Sequence, residues 1–161
     1  MEKEARLQKM GQDVYETICK MFDDMEYHYE RHDEDLVITC KVHGDDIPMD
    51  MIFRVHAERQ LVSMLSPMPF KIPEEYRTDI AMATTIINDR LVDGSFDFDL
   101  SDGRICFRLT SSYIESILGK ELFAYMLMVS AHTVDEYNDK FLMIGKGMMS
   151  IEQFLESELK D

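Results

Sequence analysis

The chain has 161 residues, 45% of them apolar, and carries 17 Lys and Arg against 32 Asp and Glu, a formal net charge of −15. That length fits one domain, able to bury about 70% of the surface its unfolded form exposes, and nine Phe and seven Tyr argue against a disordered chain in spite of the charge. That negative excess repels phosphate, and Lys and Arg scattered singly among the acids form no basic cluster to offset it, which argues against a nucleic-acid surface; the longest apolar run, Leu122 to Ala131, falls well short of the roughly 20 residues of a bilayer span.

From Glu2 to Met25 the apolar residues Leu7, Met10, Val14, Ile18, Met21 and Met25 recur every three or four positions, which predicts an amphipathic helix with Glu4, Lys9, Asp13 and Lys20 on its wet face. From Tyr27 the period becomes two. Tyr27 and Tyr29, then Leu36, Ile38, Cys40 and Val42, predict two strands separated by the acidic turn His32 to Asp35. After the turn at Gly44 to Pro48, Met51, Phe53, Val55 and Ala57 alternate with Ile52, Arg54 and His56, and Leu61 to Leu65 reads as the returning strand. Three prolines between Ser66 and Pro73 are expected to end regular structure there, with Pro73 suited to a helix's first turn. Tyr76, Ile80, Ala83, Ile87 and Leu91 then form one helical stripe.

Asp102-Gly103 predicts a two-residue hairpin turn. With those residues at the tip, Leu100 faces Ile105, Phe98 faces Phe107, Phe96 faces Leu109, and Asp97 falls opposite Arg108. Leu118 to Tyr137 predicts a helix apolar over much of its circumference, as expected of one covered by other elements. Gly145 and Gly147 break the apolar segment that follows, and Ser150 with Gln153 forms a capping box, flanked by Met149 and Phe154, for a last helix. The order is helix, four strands, helix, two strands, then helices. It predicts one α+β domain over 1–161, with a mainly antiparallel sheet flanked by helices and extra helices at the C-terminal end.

The chemistry-bearing residues form no recognisable reactive constellation. Cys19, Cys40 and Cys106 are odd in number and lack a Cys-x-x-Cys pair, so they read as reduced thiols near the core. His28 and His32, on one strand face, would lie about 13 Å apart, too far to share an ion; His43 and His56, on neighbouring strands, could approach each other but lack a further ligand. Asp97 and Asp99 share a strand face about 7 Å apart, yet Arg104 and Arg108 would keep both ionised, which suits a surface ion-pair lattice. Gly145-Lys146-Gly147 lacks the frame of a phosphate loop and reads as a helix break. No catalytic, cofactor or metal residue is assigned. The fourteen methionines leave one further expectation: some of Met64, Met68, Met82, Met126, Met128, Met143, Met148 and Met149 line an exposed, adaptable groove.

Ile87-Asn88, Gly94, Phe96, Asp99, Asp102-Gly103, Ile105 and Phe107, followed by a helix ending Asp135-Glu136-Tyr137 and by Gly147 before Ser150-Ile151-Glu152, carry a resemblance to the YbjN family, candidate bacterial sensory transduction regulators. That family is similar in fold to the type III secretion chaperones, small acidic proteins that bind non-globular segments of secreted partners and are commonly dimeric. The resemblance implies a non-enzymatic regulatory or chaperone-like protein that binds another polypeptide, with a homodimer compatible; the acidic charge and the lack of a signal-peptide-like or spanning apolar stretch add the expectation of a cytoplasmic protein with no nucleic acid or membrane partner, and no cofactor is expected. A small-ligand sensor or an enzyme using an apolar pocket is the alternative. The sequence assigns no partner-binding residues.

Overall fold

The computed structural model describes residues 1–160. Helix α1 spans Glu2–Asp24; strands β1 (Glu30–His32), β2 (Val37–Val42), β3 (Met49–His56) and β4 (Leu61–Lys71) follow. A 3-10 turn at Glu74–Tyr76 leads into α2 (Arg77–Arg90), then β5 (Ser95–Phe98), β6 (Arg104–Ser112), α3 (Lys120–Gly145) and α4 (Ile151–Leu159). The strands form one antiparallel sheet in the order β1-β2-β3-β4-β6-β5. The architecture is the expected mixed α+β fold, and no helix among the described residues is long and apolar enough to cross a membrane.

Period-two alternation decides which face the helices cover. Ile38 and Cys40 on β2, Met51, Phe53 and Val55 on β3, Val62 and Met64 on β4, and Ile105 and Phe107 on β6 are buried toward α1 and α3. Tyr15, Ile18 and Phe22 bring the fully buried stripe of α1 to the same layer. Edge-to-face rings join the layers: Phe22 meets Phe53 at 6.0 Å and Phe53 meets Phe123 of α3 at 6.2 Å. At the far end Phe96 packs on Phe107, Tyr137 and Phe141, with centroids 5.0–5.9 Å apart. Such pairs add to area burial because ring edges and faces carry opposite partial charge.

Four local expectations are corrected. Tyr27 and Tyr29 are not in a strand; β1 starts only at Glu30 and pairs three residues with β2. The proline segment does not end β4, which continues through Pro67 and Pro69 to Lys71. It does so where β3 no longer pairs with it beyond Ile52↔Leu65 and where a bulge interrupts its ladder with β6, so prolines without N–H are tolerated. The β5–β6 register is displaced by two residues: Phe98 faces Ile105 and Phe96 faces Phe107, leaving Leu100 exposed. The turn is a four-residue loop, Leu100 to Gly103, closed by Asp99 N–H donating to the Arg104 carbonyl. Asp99 holds it by accepting from the Ser101 N–H and hydroxyl, while Gly103 supplies a φ of +81° with the Ile72 carbonyl against the place a Cβ would occupy. Finally, α3 does not end at Tyr137 but runs unbroken to Gly145, with Phe141 and Ile144 still facing the core.

The C-terminal turn matches its expectation in detail. Gly147 reverses the chain at φ +68°, the Ser150 hydroxyl accepts from Gln153 N–H at 3.1 Å, and Ser150 N–H donates to the Gln153 side chain at 2.9 Å. Helix α4 then buries Phe154 and Glu158, the latter between Lys140 of α3 at 2.8 Å and Arg90 of α2 at 3.5 Å.

Candidate functional site

The short pairing of β1 creates the most developed concavity. Beyond Glu30↔Thr39 the chain N-terminal to β1 leaves the edge of β2, so Cys40 to Val42 have no strand on that side. Two tyrosines hold the departing segment. Tyr27 donates its hydroxyl to the Lys41 carbonyl at 2.8 Å, occupying one acceptor of the open edge. Tyr29 stacks on Phe22 at 4.9 Å and donates to Asp23 at 2.8 Å. Burial first, and the Asp23 bond second, raise the Tyr29 hydroxyl to about 12, so it stays a donor.

Between this segment and the sheet lies a cavity of about 840 Å³, open to solvent. Its floor includes Ile52 and Pro67, where β4 runs on past the end of its pairing with β3. Its rim carries His28, His43, Glu26 and Glu30, and Lys41 spans to Asp50 at 2.8 Å. Cys40 lines it too, but burial pushes that thiol up to about 12, which removes it as a thiolate nucleophile near neutral pH. The arrangement offers apolar floor, aromatic wall, an unpaired strand edge and charged rim. Those are the elements that hold an extended chain by backbone pairing and side-chain pockets.

The methionines are not what lines it. Met64, Met68 and Met126 are core, whereas Met82, Met128 and Met148 are exposed on α2, on α3 and after α3. The groove's apolar residues are tyrosine, isoleucine and proline, a composition set by where β1 stops and so invisible to residue counting.

The other candidate residues take the roles their surroundings allow. His43 follows the end of β2, where it would face the start of β3, and His56 closes β3; antiparallel pairing therefore separates them by about 26 Å along the strand. His32 contacts the Thr39 hydroxyl at 3.3 Å. No three His, Cys, Asp or Glu side chains among the described residues are grouped as a metal site. One pair was not visible in the sequence: the His56 ring lies 3.2 Å from the Ser63 hydroxyl. Desolvation, then the cations Arg54 and Arg59, hold the His56 imidazole below its usual range. No carboxylate hydrogen-bonds that ring among the described residues, so the pair lacks the orienting third group of a nucleophilic triad. Asp97 accepts a bidentate pair from Arg108 at 2.7 and 3.1 Å, and Asp99 is held below the usual carboxylate range first by Ser101 and then by Arg104. The surface ion pairs are present with a different geometry: Asp97 faces Cys106 and reaches Arg108 diagonally, since Arg108 faces Ser95, and Asp99 lies in the turn beyond β5, not on the strand face.

No curated protein matches this chain. Solved structures do. A crystal structure of YbjN from E. coli, described as a "putative transcription regulator", is 12% identical with a TM-score of 0.58, over 76% of this chain and 87% of that one. The ExsC-ExsE complex contains a chain 14% identical with a TM-score of 0.58, over 79% and 92%. The HopA1-SchA chaperone-effector complex contains one 12% identical with a TM-score of 0.50, over 83% and 95%. At these identities the likeness is one of fold, and it agrees with the sheet and flanking helices described above. The family model for YbjN, "Putative bacterial sensory transduction regulator", matches residues 15–143, from the buried half of α1 to the end of α3, and on that match the chain belongs to the YbjN family.

Proposed function

We propose that residues 1–161 act as one YbjN-like domain, a non-enzymatic, cytoplasmic regulatory or chaperone-like protein that binds another polypeptide in the groove between the Glu26–Glu30 segment and the β2–β3 part of the sheet. The observation that carries this reading is the open edge of β2 beside an apolar floor, with only the Tyr27 hydroxyl occupying the Lys41 carbonyl. The chaperone-effector complex among the structures of similar fold supports a polypeptide partner in general. A regulatory role in sensory transduction is the further step the family description suggests. A cross-linking pull-down tests the reading with the wild type and Ile52→Asp, whose half-buried side chain lies on the helix-free side. The expected result is a defined polypeptide captured by the wild type and lost in the variant. Equal capture, or no capture by either, would remove the groove from the proposal.

A second reading rests on the cavity itself, whose 840 Å³ falls within the range of small-ligand sites. It predicts a rise in melting temperature with some member of a broad compound library, because a ligand bound only to the folded state stabilises it. A homodimer is the accompanying expectation for the assembly, and light scattering measures it directly.

A further inference from the structure

The segment joining α1 to β2 forms a strap beside the groove that is seated on the core without being packed into it. No residue from Asp23 to Asp35 is buried, and all three residues of β1 are exposed. A row of side chains holds the strap instead. Tyr29 stacks on Phe22 at 4.9 Å and donates to Asp23. Arg31, two positions on and so on the same face, donates to both carboxylate oxygens of Glu16, at 2.6 and 3.3 Å, with its guanidinium 5.2 Å from the centre of the Tyr15 ring. Tyr15 and Phe22, which receive these two side chains, are fully buried. The seat therefore belongs to the core and its occupant does not.

The ends of the strap supply a second observation. Glu26 and Leu36, both at φ +52°, are two of the four non-glycine residues with positive φ among the described residues, and they bracket the strap. A side chain at that angle crowds its own backbone, and such strain persists only where the surroundings impose it. Between these two strained ends the ties are few. The ladder with β2 is three residues long, and the Arg31–Glu16 pair, 38% and 40% exposed, exchanges its contacts readily with water. The strap can leave without opening the sheet.

We infer that the polypeptide bound in the groove displaces this strap and takes its seat as an extended chain with the strap's own pattern, an aromatic residue followed two positions later by arginine. The inference rests on the polypeptide-binding reading and specifies the partner's chemistry and its mode of entry. The seat selects that pattern. Phe22 offers a ring face with the Asp23 carboxylate beside it, and Glu16 receives the two parallel N–H donors of a guanidinium, a fork that lysine lacks. Departure of the strap also frees the edge at Val37 to Thr39, so that all six residues of β2 become available for backbone pairing, the length of an ordinary strand. The strap competes from within the same chain, at the high effective concentration of a tethered ligand, so a partner without the pattern is turned away.

The test measures binding of a fluorescent peptide of residues 26–32 to three full-length proteins by anisotropy. In the double variant Tyr29→Ala, Arg31→Ala the strap loses both anchors, and the peptide should bind about tenfold more tightly than to the wild type. The same peptide carrying Arg31→Gln should bind this variant about tenfold more weakly. The double variant Glu30→Cys, Thr39→Cys, at positions directly opposite in the ladder, ties the strap down by a disulfide on oxidation. Binding should vanish in the oxidised form and return on reduction, and melting curves verify that each protein is folded. Equal affinity of wild type and loosened variant, indifference to the arginine, or undiminished binding to the oxidised form would each overturn the inference, as would no binding at all. The groove reading is tested apart from this: polypeptide capture that still depends on Ile52 and persists in the oxidised variant would leave the groove standing and the strap a fixed part of its wall.

Discussion

The two faces of the sheet obey the same alternation and meet opposite fates. On the inner face Phe53, flanked by Phe22 and Phe123, has 1% of its surface exposed. Its neighbour Ile52 points the other way, half-buried beside Lys41, Asp50 and Pro67. The inner face is closed by aromatic packing between elements far apart in sequence; the outer one carries paired charges and a partly covered apolar strip. Stability is concentrated on one side and accessible chemistry on the other. A protein arranged so can change its outer residues with little cost to its fold.

The largest way to break that contrast is to charge the inner layer. Ile18 of α1 is fully buried, and Ile18→Asp would place an unpaired carboxylate there, destabilising the fold by about 4–5 kcal/mol. Loss of the cooperative melting transition at ordinary temperature is the expected result. Unchanged melting would transfer the α1 stripe from the core to a free docking surface. The direct comparison comes next. Phe53→Ala should cost about 3–5 kcal/mol through the cavity it leaves, and Ile52→Ala about 1 kcal/mol, since its burial is partial. Denaturation midpoints measured side by side give the difference, and equal losses would mean that the outer face is also core.

A titration sharpens the same contrast. Burial first raises the Cys19 thiol to about 11 and the Cys40 thiol to about 12, from an ordinary 9.0. A thiol that keeps its proton longer in the folded state than in the unfolded chain contributes stability that is complete below pH 9. That contribution is lost as pH rises through 9 toward 11 and 12. The melting temperature should therefore fall more steeply above pH 9 in the wild type than in Cys40→Ala. Parallel slopes would show that Cys40 ionises as easily folded as unfolded.

What the sequence displayed and what it hid follow the same division between local and non-local causes. The α1 helix and the Ser150–Gln153 cap are decided within a few residues and both appear, although the buried stripe of α1 is narrower than the spacing predicts: Ile18 and Met21 are buried, Leu7, Met10 and Val14 only partly, and Met25 is exposed beyond the helix end. The hairpin register was ambiguous for a physical reason: a slip of two residues keeps every side chain on its face, so apolar pairing scores Phe98 with Phe107 as highly as Phe98 with Ile105. The choice was made by Asp99 bonding Ser101 and by Ile72 N–H bonding the Gly103 carbonyl, neither of which alternation can express. Prolines 67 and 69 announced an end to β4 because their tolerance depends on β3 having already parted from it. The groove was hidden in the same way, since it exists only where β1 stops short. Asp45 and Asp135 meet across 90 residues of chain, a separation at which no spacing rule operates.

The smallest expected effect tests the outer face alone. Asp97 and Arg108 form a well-aligned bidentate pair there, and each side chain is about half exposed. Geometry of that quality would count for much in the interior, but water already solvates both groups, so forming the pair exchanges one set of favourable contacts for another. Asp97→Ala should change stability by no more than about 0.5 kcal/mol, and by less again in high salt, where exposed charges are screened. Urea midpoints at low and high salt measure it. A loss above about 1.5 kcal/mol, insensitive to salt, would mean that the lattice braces the sheet as the aromatic layer does. The outer face would then be a second structural surface, and the freedom of the groove's side of the molecule to adapt to a partner would no longer follow from its physics.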